Sequence, residues 1–144
     1  NMAPQQLVLE VTESLAAQDQ AVQQTLREIR ALGVGLALDD FGTGYSSLSC
    51  LHELPVDTVK MDRSFVSQAG QSEYHRVLID ATLRMARALG LGTVAEGIET
   101  PEQAALMLAM GCERGQGYWF SRPMDTQALV AWIQAGGVSA PAPT

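Results

Sequence analysis

Short apolar runs alternate along the chain with stretches in which apolar residues recur at helical spacing. The first pattern is typical of buried strands and the second of amphipathic helices. Five apolar runs predict strands, at residues 7–11, 34–38, 56–61, 92–98 and 115–120. Strands that alternate with helices form parallel sheets with right-handed crossovers. The order therefore predicts an α/β fold, either doubly wound or part of a barrel.

The helices are predicted from apolar spacing together with capping residues at their ends. Four are expected: one ending at Gly33, one from Ser72 to Leu89, one from Thr100 to Gly111, and one over residues 126–134. A shorter helix is expected around Tyr45 to His52. At Thr100 the signal is strong, because Pro101 and Gln103 complete a typical helix start.

Composition indicates one globular domain, since 47% of the 144 residues are hydrophobic and 17% are charged. We expect this domain to occupy residues 1–135, with residues 136–144 as a flexible tail. The two cysteines, Cys50 and Cys112, are far apart and lack neighbouring zinc ligands, so buried reduced thiols are expected.

The net charge of −7 argues against broad electrostatic binding to DNA, RNA or anionic lipid. No apolar run reaches the roughly 18–20 residues of a membrane span, so we expect no membrane contact and a cytoplasmic location. An anionic ligand would need help from cations to approach such a chain.

Polar side chains fall toward the carboxyl end of every predicted strand. They are Glu10, Asp39, Asp40, Lys60, Glu96 and Gln116. In α/β sheets and barrels, ligand sites assemble at these ends. Several carboxylates around one cavity repel each other unless cations lie between them, and oxygen ligands favour Mg²⁺ or Mn²⁺. We therefore expect a metal site, with two ions sharing one carboxylate as a recurrent device for phosphoryl chemistry.

Each of these residues taken alone is more often a helix cap, a turn residue or an ion-pair partner. Their recurrence on five successive strands favours a site. A two-component receiver also combines Asp residues and a Lys at strand ends. In a receiver the Asp pair follows the first strand, whereas here Asp39 and Asp40 follow the second predicted strand. His52 and His75 have no partner at metal-binding spacing and are interpreted as surface or packing residues.

Four motifs in this order carry a resemblance to a known family: LVLEVTES, LALDDFGTGYSSLSCLHELPVDTVKMDRSFV, TVAEGIET and GCERGQGYWFSRPM. From about Leu7 to about Met124 the chain resembles the EAL family of cyclic di-GMP phosphodiesterases. The resemblance implies a modified TIM (β/α)8 barrel, metal-dependent hydrolysis of cyclic di-GMP to linear pGpG, and a homodimer. Only the last five β/α units are matched, and the Glu-Ala-Leu motif itself is not in the sequence.

The resemblance also implies roles for individual residues. Glu10 resembles a metal ligand, Asp39 the carboxylate that bridges two ions, and Asp40 and Glu96 ligands on the side of the second ion. The two ions would be Mg²⁺ or Mn²⁺.

Three further roles follow from the same motifs. Lys60 resembles the lysine that contacts the attacking water, and Gln116 the amide that helps to hold that water or a ligand; with Glu96 they form the implied catalytic set. Glu13 resembles the acid that supports the loop at residues 41–48, which the family uses in dimer contacts. Two divalent ions beside Lys60 are expected to lower its pKa.

One alternative function remains open, and the incomplete barrel adds an expectation about association. The chain is also compatible with a module that binds cyclic di-GMP or a partner without turnover. Five units leave a barrel open, so exposed sheet edges and an exposed apolar interior are expected to make the chain associate.

Overall fold

The computed structural model describes residues 2–16, 19–42, 51–112 and 114–137. Its centre is a parallel sheet whose five strands are neighbours in chain order. The strands are β1 (Val8–Thr12), β2 (Gly35–Phe41), β3 (Thr58–Met61), β4 (Gly92–Ala95) and β5 (Arg114–Gly115). Doubly wound sheets reverse their strand order at one point, whereas barrel strands follow one another. The order therefore favours the barrel architecture and excludes the receiver fold.

The helices are α1 (Glu13–Ala16), α2 (Gln20–Ala31), α3 (Arg63–Gln68), α4 (Glu73–Ala88), α5 (Pro101–Ala109) and α6 (Thr126–Gln134). Helices α1 to α5 lie between successive strands, and α6 follows the last strand. The predicted caps are confirmed at α4 and α5, where the hydroxyls of Ser72 and Thr100 accept from the third backbone amide of each helix. At α5 the side chain of Gln103 accepts in return from the amide of Thr100, which completes a capping box.

The predicted strand at residues 115–120 is wrong beyond its first residue. Residues 117–120 form a turn, in which the amide of Trp119 donates to the carbonyl of Ile98 at 2.9 Å. Gly117 lies so close to Ile98 that an added Cβ would be 2.1 Å from the Ile98 carbonyl oxygen. The apolar run is therefore a turn in which Trp119 and Phe120 pack against a core cluster while Tyr118 is exposed.

Other predicted boundaries shift by a few residues. The second strand continues past residue 38 to Phe41, while the third begins only at Thr58 and the fourth ends at Ala95. Helix α3 is not predicted from apolar spacing. Residues 43–50, most of the predicted short helix, lie outside the described residues, and residues 51–53 form a turn.

Two apolar clusters join the sheet to the helices. The first contains Val11, Leu26, Leu36, Leu38 and Val59, among others. The second contains Met61, Val66, Ile79, Leu83 and Met107, among others. Both draw on strand residues that alternate with the polar ones, so the core lies between sheet and helices.

The predicted buried thiol is confirmed at Cys112, where burial raises the pKa. Cys50 lies outside the described residues. His75 is half-buried with its ring edge-on to Phe65 and Tyr74, and His52 is exposed, as expected for packing and surface residues. No helix in the described ranges is long and apolar enough to cross a membrane.

Candidate metal centre

The predicted polar residues lie at the carboxyl end of the sheet. Glu10 is in β1, Asp39 and Asp40 are in β2, Lys60 is in β3, and Glu96 follows β4 directly. The strand ends are adjacent because each strand pairs in parallel with the next. Residues distant in the sequence are thereby brought to one edge.

Strand register also places these side chains on one face of the sheet. Glu10 is opposite Ala37, and Ala37 is opposite Thr58. Side chains two positions apart in a strand share a face, so Asp39 and Lys60 lie on the same face as Glu10. This is the face opposite the helices, which becomes the interior of a barrel.

Lys60 is the centre of the cluster. Its Nζ lies 2.7 Å from Glu10 Oε1, 2.8 Å from Asp39 Oδ1 and 2.8 Å from Glu96 Oε1. An ammonium group has three N–H donors, and each carboxylate takes one of them. The Lys60 side chain is only 6% exposed.

Burial and charge oppose each other at this lysine. Burial disfavours its ammonium form, but the hydrogen bonds to Asp39, Glu10 and Glu96 outweigh burial and raise the pKa of Lys60 above its ordinary value. Burial raises the pKa of Glu96, and the charges of Asp39 and Glu10 add to that effect against the opposing influence of Lys60. The lowered lysine pKa predicted above refers to a lysine beside two divalent ions and stays a prediction.

A β-bulge presents two successive carboxylates at this edge. Between Leu38 and Phe41, β2 has one residue more than the facing part of β3. Asp40 has φ +54°, in the left-handed region, where Asp is tolerated better than most residues. In a regular strand the side chains of Asp39 and Asp40 would lie on opposite faces. Here one carboxylate oxygen of each lies within 4.8 Å of the other and of Glu96.

The donor set fits a divalent cation. Asp39, Asp40 and Glu96 each offer an oxygen within 4.8 Å of the others, and Glu10 shares a partner with two of them. The carboxylates outnumber the ammonium that neutralises them, so a second positive charge would be stabilised. All donors are oxygen atoms, which suits Mg²⁺, Mn²⁺ or Ca²⁺.

Glu13 is buried at the start of α1, and its Oε2 accepts from the backbone N–H of Gly42 at 3.4 Å. Among the residues described, its Oε1 has no hydrogen-bond partner. The acid thus contacts the first residue after β2. The remainder of the loop from residue 43 lies outside the described residues.

Gln116 follows β5 at the same end of the sheet. Its backbone N–H donates to Ala95 at 2.8 Å, and its carbonyl accepts from Ile98. Within the described ranges, no hydrogen bond joins its side-chain amide to the carboxylates. The structure therefore brings Gln116 to the correct edge but not into the cluster.

One ion pair beside the cluster was not predicted from the sequence. Arg63, the first residue of α3, lies 2.8 Å from Glu99, three residues after Glu96. It ties α3 to the segment that carries Glu96. Opposite charges in the motifs MDRSF and EGIET were the available signal, but only strand order shows that they meet.

Consecutive parallel strands with an acidic cluster at their carboxyl ends define a barrel-type α/β domain with a candidate cation site. The family model described as "EAL domain" matches residues 1–123, and the chain belongs to this family.

The chain is similar in sequence to relatives with named functions. The chain is 46% identical over 132 residues to the cyclic di-GMP phosphodiesterase NbdA of Pseudomonas aeruginosa, covering 90% of this chain and 17% of NbdA. It spans about a fifth of the length of the curated relatives it matches.

Solved structures are also similar to this chain. The phosphodiesterase MucR of Pseudomonas aeruginosa, in complex with c-di-GMP, has a TM-score of 0.83 at 40% identity over 89% of this chain and 52% of that one. Klebsiella pneumoniae BlrP1, in complex with manganese and c-di-GMP, has a TM-score of 0.80 at 35% identity over 85% of this chain and 31% of that one.

Proposed function

We propose that this chain is part of a phosphodiesterase that hydrolyses cyclic di-GMP to linear pGpG with Mg²⁺ or Mn²⁺. The observation that carries the proposal is the convergence of Glu10, Asp39 and Glu96 on Lys60, with Asp40 beside them. Relatives named as cyclic di-GMP phosphodiesterases support the substrate.

Glu10, Asp39, Asp40 and Glu96 would hold the cations. Divalent cations would polarise the phosphodiester and lower the pKa of a coordinated water. Asp39 would serve both ions, and the position of β2 between the strand of Glu10 and the strand of Lys60 supports this role. The cations also explain how a chain of net charge −7 receives an anionic substrate.

Lys60, Glu96 and Gln116 would act on the attacking water. Lys60, whose three N–H donors are taken by Glu10, Asp39 and Glu96, would orient these carboxylates around that water. Glu96, which lies 2.8 Å from Lys60 Nζ, would accept a proton from the same water. Gln116 orients the same water. The water oxygen forms a bond to phosphorus, the bond from phosphorus to the 3′ oxygen breaks, and that oxygen gains a proton.

Glu13 would support the loop that begins at Gly42 and, through it, a homodimer contact. The buried Glu13 carboxylate and its bond to Gly42 support this role. The proposal also includes a domain at residues 1–135 with a tail at 136–144, and a cytoplasmic location. DNA, RNA and membranes are not partners in it.

The test is incubation of the purified chain with cyclic di-GMP and Mn²⁺ or Mg²⁺, with products separated by chromatography. We expect pGpG, and a rate lower by about a hundredfold or more for Asp39→Asn, which removes a shared ligand. Asp80→Asn is the matched control, since Asp80 lies on the surface of α4 in a pair with Arg84. Equal rates for Asp39→Asn and Asp80→Asn would contradict the proposed centre.

A non-catalytic cyclic di-GMP-binding or regulatory module is the second candidate. The observation that favours it is the open side of the site, where the Glu10 side chain on the edge strand β1 is 51% exposed. Calorimetry separates the two candidates, because this one requires saturable binding of cyclic di-GMP without pGpG.

A further inference from the structure

A cavity of about 200 Å³ lies at the end of the sheet opposite the metal centre. Gly92, the first residue of β4, and Gly111, which precedes β5, are in its wall. Glu96 is four residues further along from Gly92, about 13 Å away at the rise of a strand. The cavity is therefore separate from the carboxylate cluster.

Two arginines, Arg87 and Arg114, line this cavity. No carboxylate among the described residues lines it, and in those residues neither guanidinium forms an ion pair. Four other cationic side chains, Arg30, Lys60, Arg63 and Arg84, are paired with carboxylates, while Arg27, Arg76 and Arg122 form no ion pair among the described residues either. What distinguishes Arg87 and Arg114 is that both line one cavity. Positive charge without a counter-charge at a cavity is stabilised by a bound anion.

Two glycines, Gly92 and Gly111, leave room for the guanidinium groups because they carry no side chain. A Cβ at Gly92 would lie 1.8 Å from Arg114 Nη2, and a Cβ at Gly111 would lie 2.7 Å from Arg87 Nη2. Glycine is unfavourable in a strand, and Gly92 is not at positive φ, so its backbone does not require glycine. Glycine at position 92 therefore leaves room for the end of the Arg114 side chain, which a Cβ would displace.

The remaining contacts leave donors available. Arg114 Nη2 donates to Thr58 Oγ1 at 3.5 Å, and a guanidinium has five N–H donors. Arg87 is in the last turn of α4, where a cation is favourable beside the helix carboxyl end. Leu83 and Leu91 supply apolar walls, and both arginines are exposed to solvent at the mouth of the cavity.

We propose that Arg87 and Arg114 form a binding site for a small phosphate-type oxyanion at the amino ends of β4 and β5. The planar guanidinium fork matches two oxygens of a phosphate, and two forks serve one phosphate or a diphosphate. The volume suits inorganic phosphate or diphosphate, while the phosphate of a nucleotide is the other source of the same chemistry.

Calorimetry in EDTA tests the site on the full chain, with inorganic phosphate, diphosphate and GMP as separate ligands. EDTA removes divalent cations, so the outcome does not depend on the metal centre or on hydrolysis. We expect saturable binding that Arg87→Gln and Arg114→Gln each weaken by about tenfold or more, the loss of a charge-assisted hydrogen bond. Arg76→Gln, an exposed arginine of α4, is the control and should leave the affinity unchanged.

Gly92→Ala provides a variant that keeps both charges. Its Cβ displaces the Arg114 guanidinium, so affinity should fall, whereas Gly70→Ala, with no atom within 4 Å of its added Cβ, should not change it. Tighter binding of GMP than of phosphate would identify a nucleotide as the source. Absence of saturable binding of all three ligands to the wild-type chain, or equal binding to folded Arg87→Gln/Arg114→Gln protein, would overturn the proposal.

Discussion

At the scale of single residues, the ammonium group of Lys60 is surrounded by carboxylates and not by water. Its ammonium is buried, and Glu10, Asp39 and Glu96 each accept one of its hydrogen bonds. The same contacts bring together three carboxylates, two from the strands β1 and β2 and one from the residue that follows β4. Lys60 thus organises the ligand oxygens that a divalent cation would use.

Lys60→Met should destabilise the chain in EDTA by about 3 kcal/mol, because three carboxylates lose their shared positive charge. Urea denaturation measures the change. Mn²⁺ should restore more stability to the variant than it adds to the wild type, since no ammonium competes with the ion. The raised pKa of Lys60 means that its contribution is complete below its ordinary pKa of 10.5 and is lost only as pH rises above that value.

Arg84→Gln is the control for this change. Arg84 pairs with Asp80 on the surface of α4, with 77% of its side chain exposed, so its loss should cost less than about 1 kcal/mol. Equal free energies of unfolding for Lys60→Met and Arg84→Gln would show that the carboxylates do not need the ammonium.

At the scale of elements, helix α3 depends on its cap. Asp62 Oδ1 accepts from the backbone N–H of Ser64 at 2.9 Å and also from the Ser64 hydroxyl. Burial favours the neutral form of Asp62, but these hydrogen bonds and the nearby Arg63 lower its pKa below the ordinary value. Apolar periodicity did not predict this six-residue helix, because it is too short to show a repeat.

Asp62→Ala should destabilise the chain by about 1 kcal/mol at neutral pH through loss of the cap. A carboxyl with a lowered folded pKa contributes stability above its ordinary pKa of 3.8, and this contribution is lost as pH falls below it. The difference from wild type should therefore shrink toward pH 3 in urea titrations. Asp62→Asn keeps an acceptor at every pH, and a pH-independent deficit of Asp62→Ala would contradict the role of the charge.

The turn after β5 gives a second prediction at this scale. Gly117→Ala places a Cβ 2.1 Å from the Ile98 carbonyl oxygen, so the backbone must shift, and we expect a loss of about 2–3 kcal/mol in urea denaturation. Gly70→Ala, in open space, should change stability by no more than about 0.5 kcal/mol. A neutral Gly117→Ala would favour the extended strand that the apolar run predicted.

At the scale of the whole molecule, β1 is an edge strand with apolar residues in solvent. Leu7, Val8 and Leu9 are exposed, and β1 pairs only with β2 among the described strands. An unpaired edge with apolar side chains is a template for pairing with another chain. The face opposite the helices is less apolar than expected, since Glu10, Asp39 and Lys60 lie on it.

The chain should therefore associate, and light scattering after size-exclusion chromatography should give a mass above that of the 15.4 kDa monomer. Val8→Lys should shift it toward the monomer, because a charged side chain on the edge opposes pairing. Val77→Lys is matched, since Val77 on α4 is similarly exposed, at 60% against 57% for Val8. A wild-type monomer at all concentrations would rule out this edge as an interface.

The sequence alone determined the main elements and the polar residues that the fold brings to one edge of the sheet. Strand runs, helix spacing and the caps at Ser72 and Thr100 are local patterns, because each reports which side of one element is buried or how one helix ends. Polar residues toward the ends of apolar runs are also a local pattern, and they indicated the carboxyl edge of the sheet as the place of a candidate site. Those signals needed no knowledge of neighbours.

Only the tertiary structure decided strand order, the bulge that turns Asp40 beside Asp39, and Lys60 as the common partner of three carboxylates. It also turned the aromatic run after Gln116 into a packed turn. Each depends on contacts between segments distant in the chain, where hydrogen bonding and close approach override local preference. Local periodicity carries no record of those contacts, so folding alone brings the polar residues into one site.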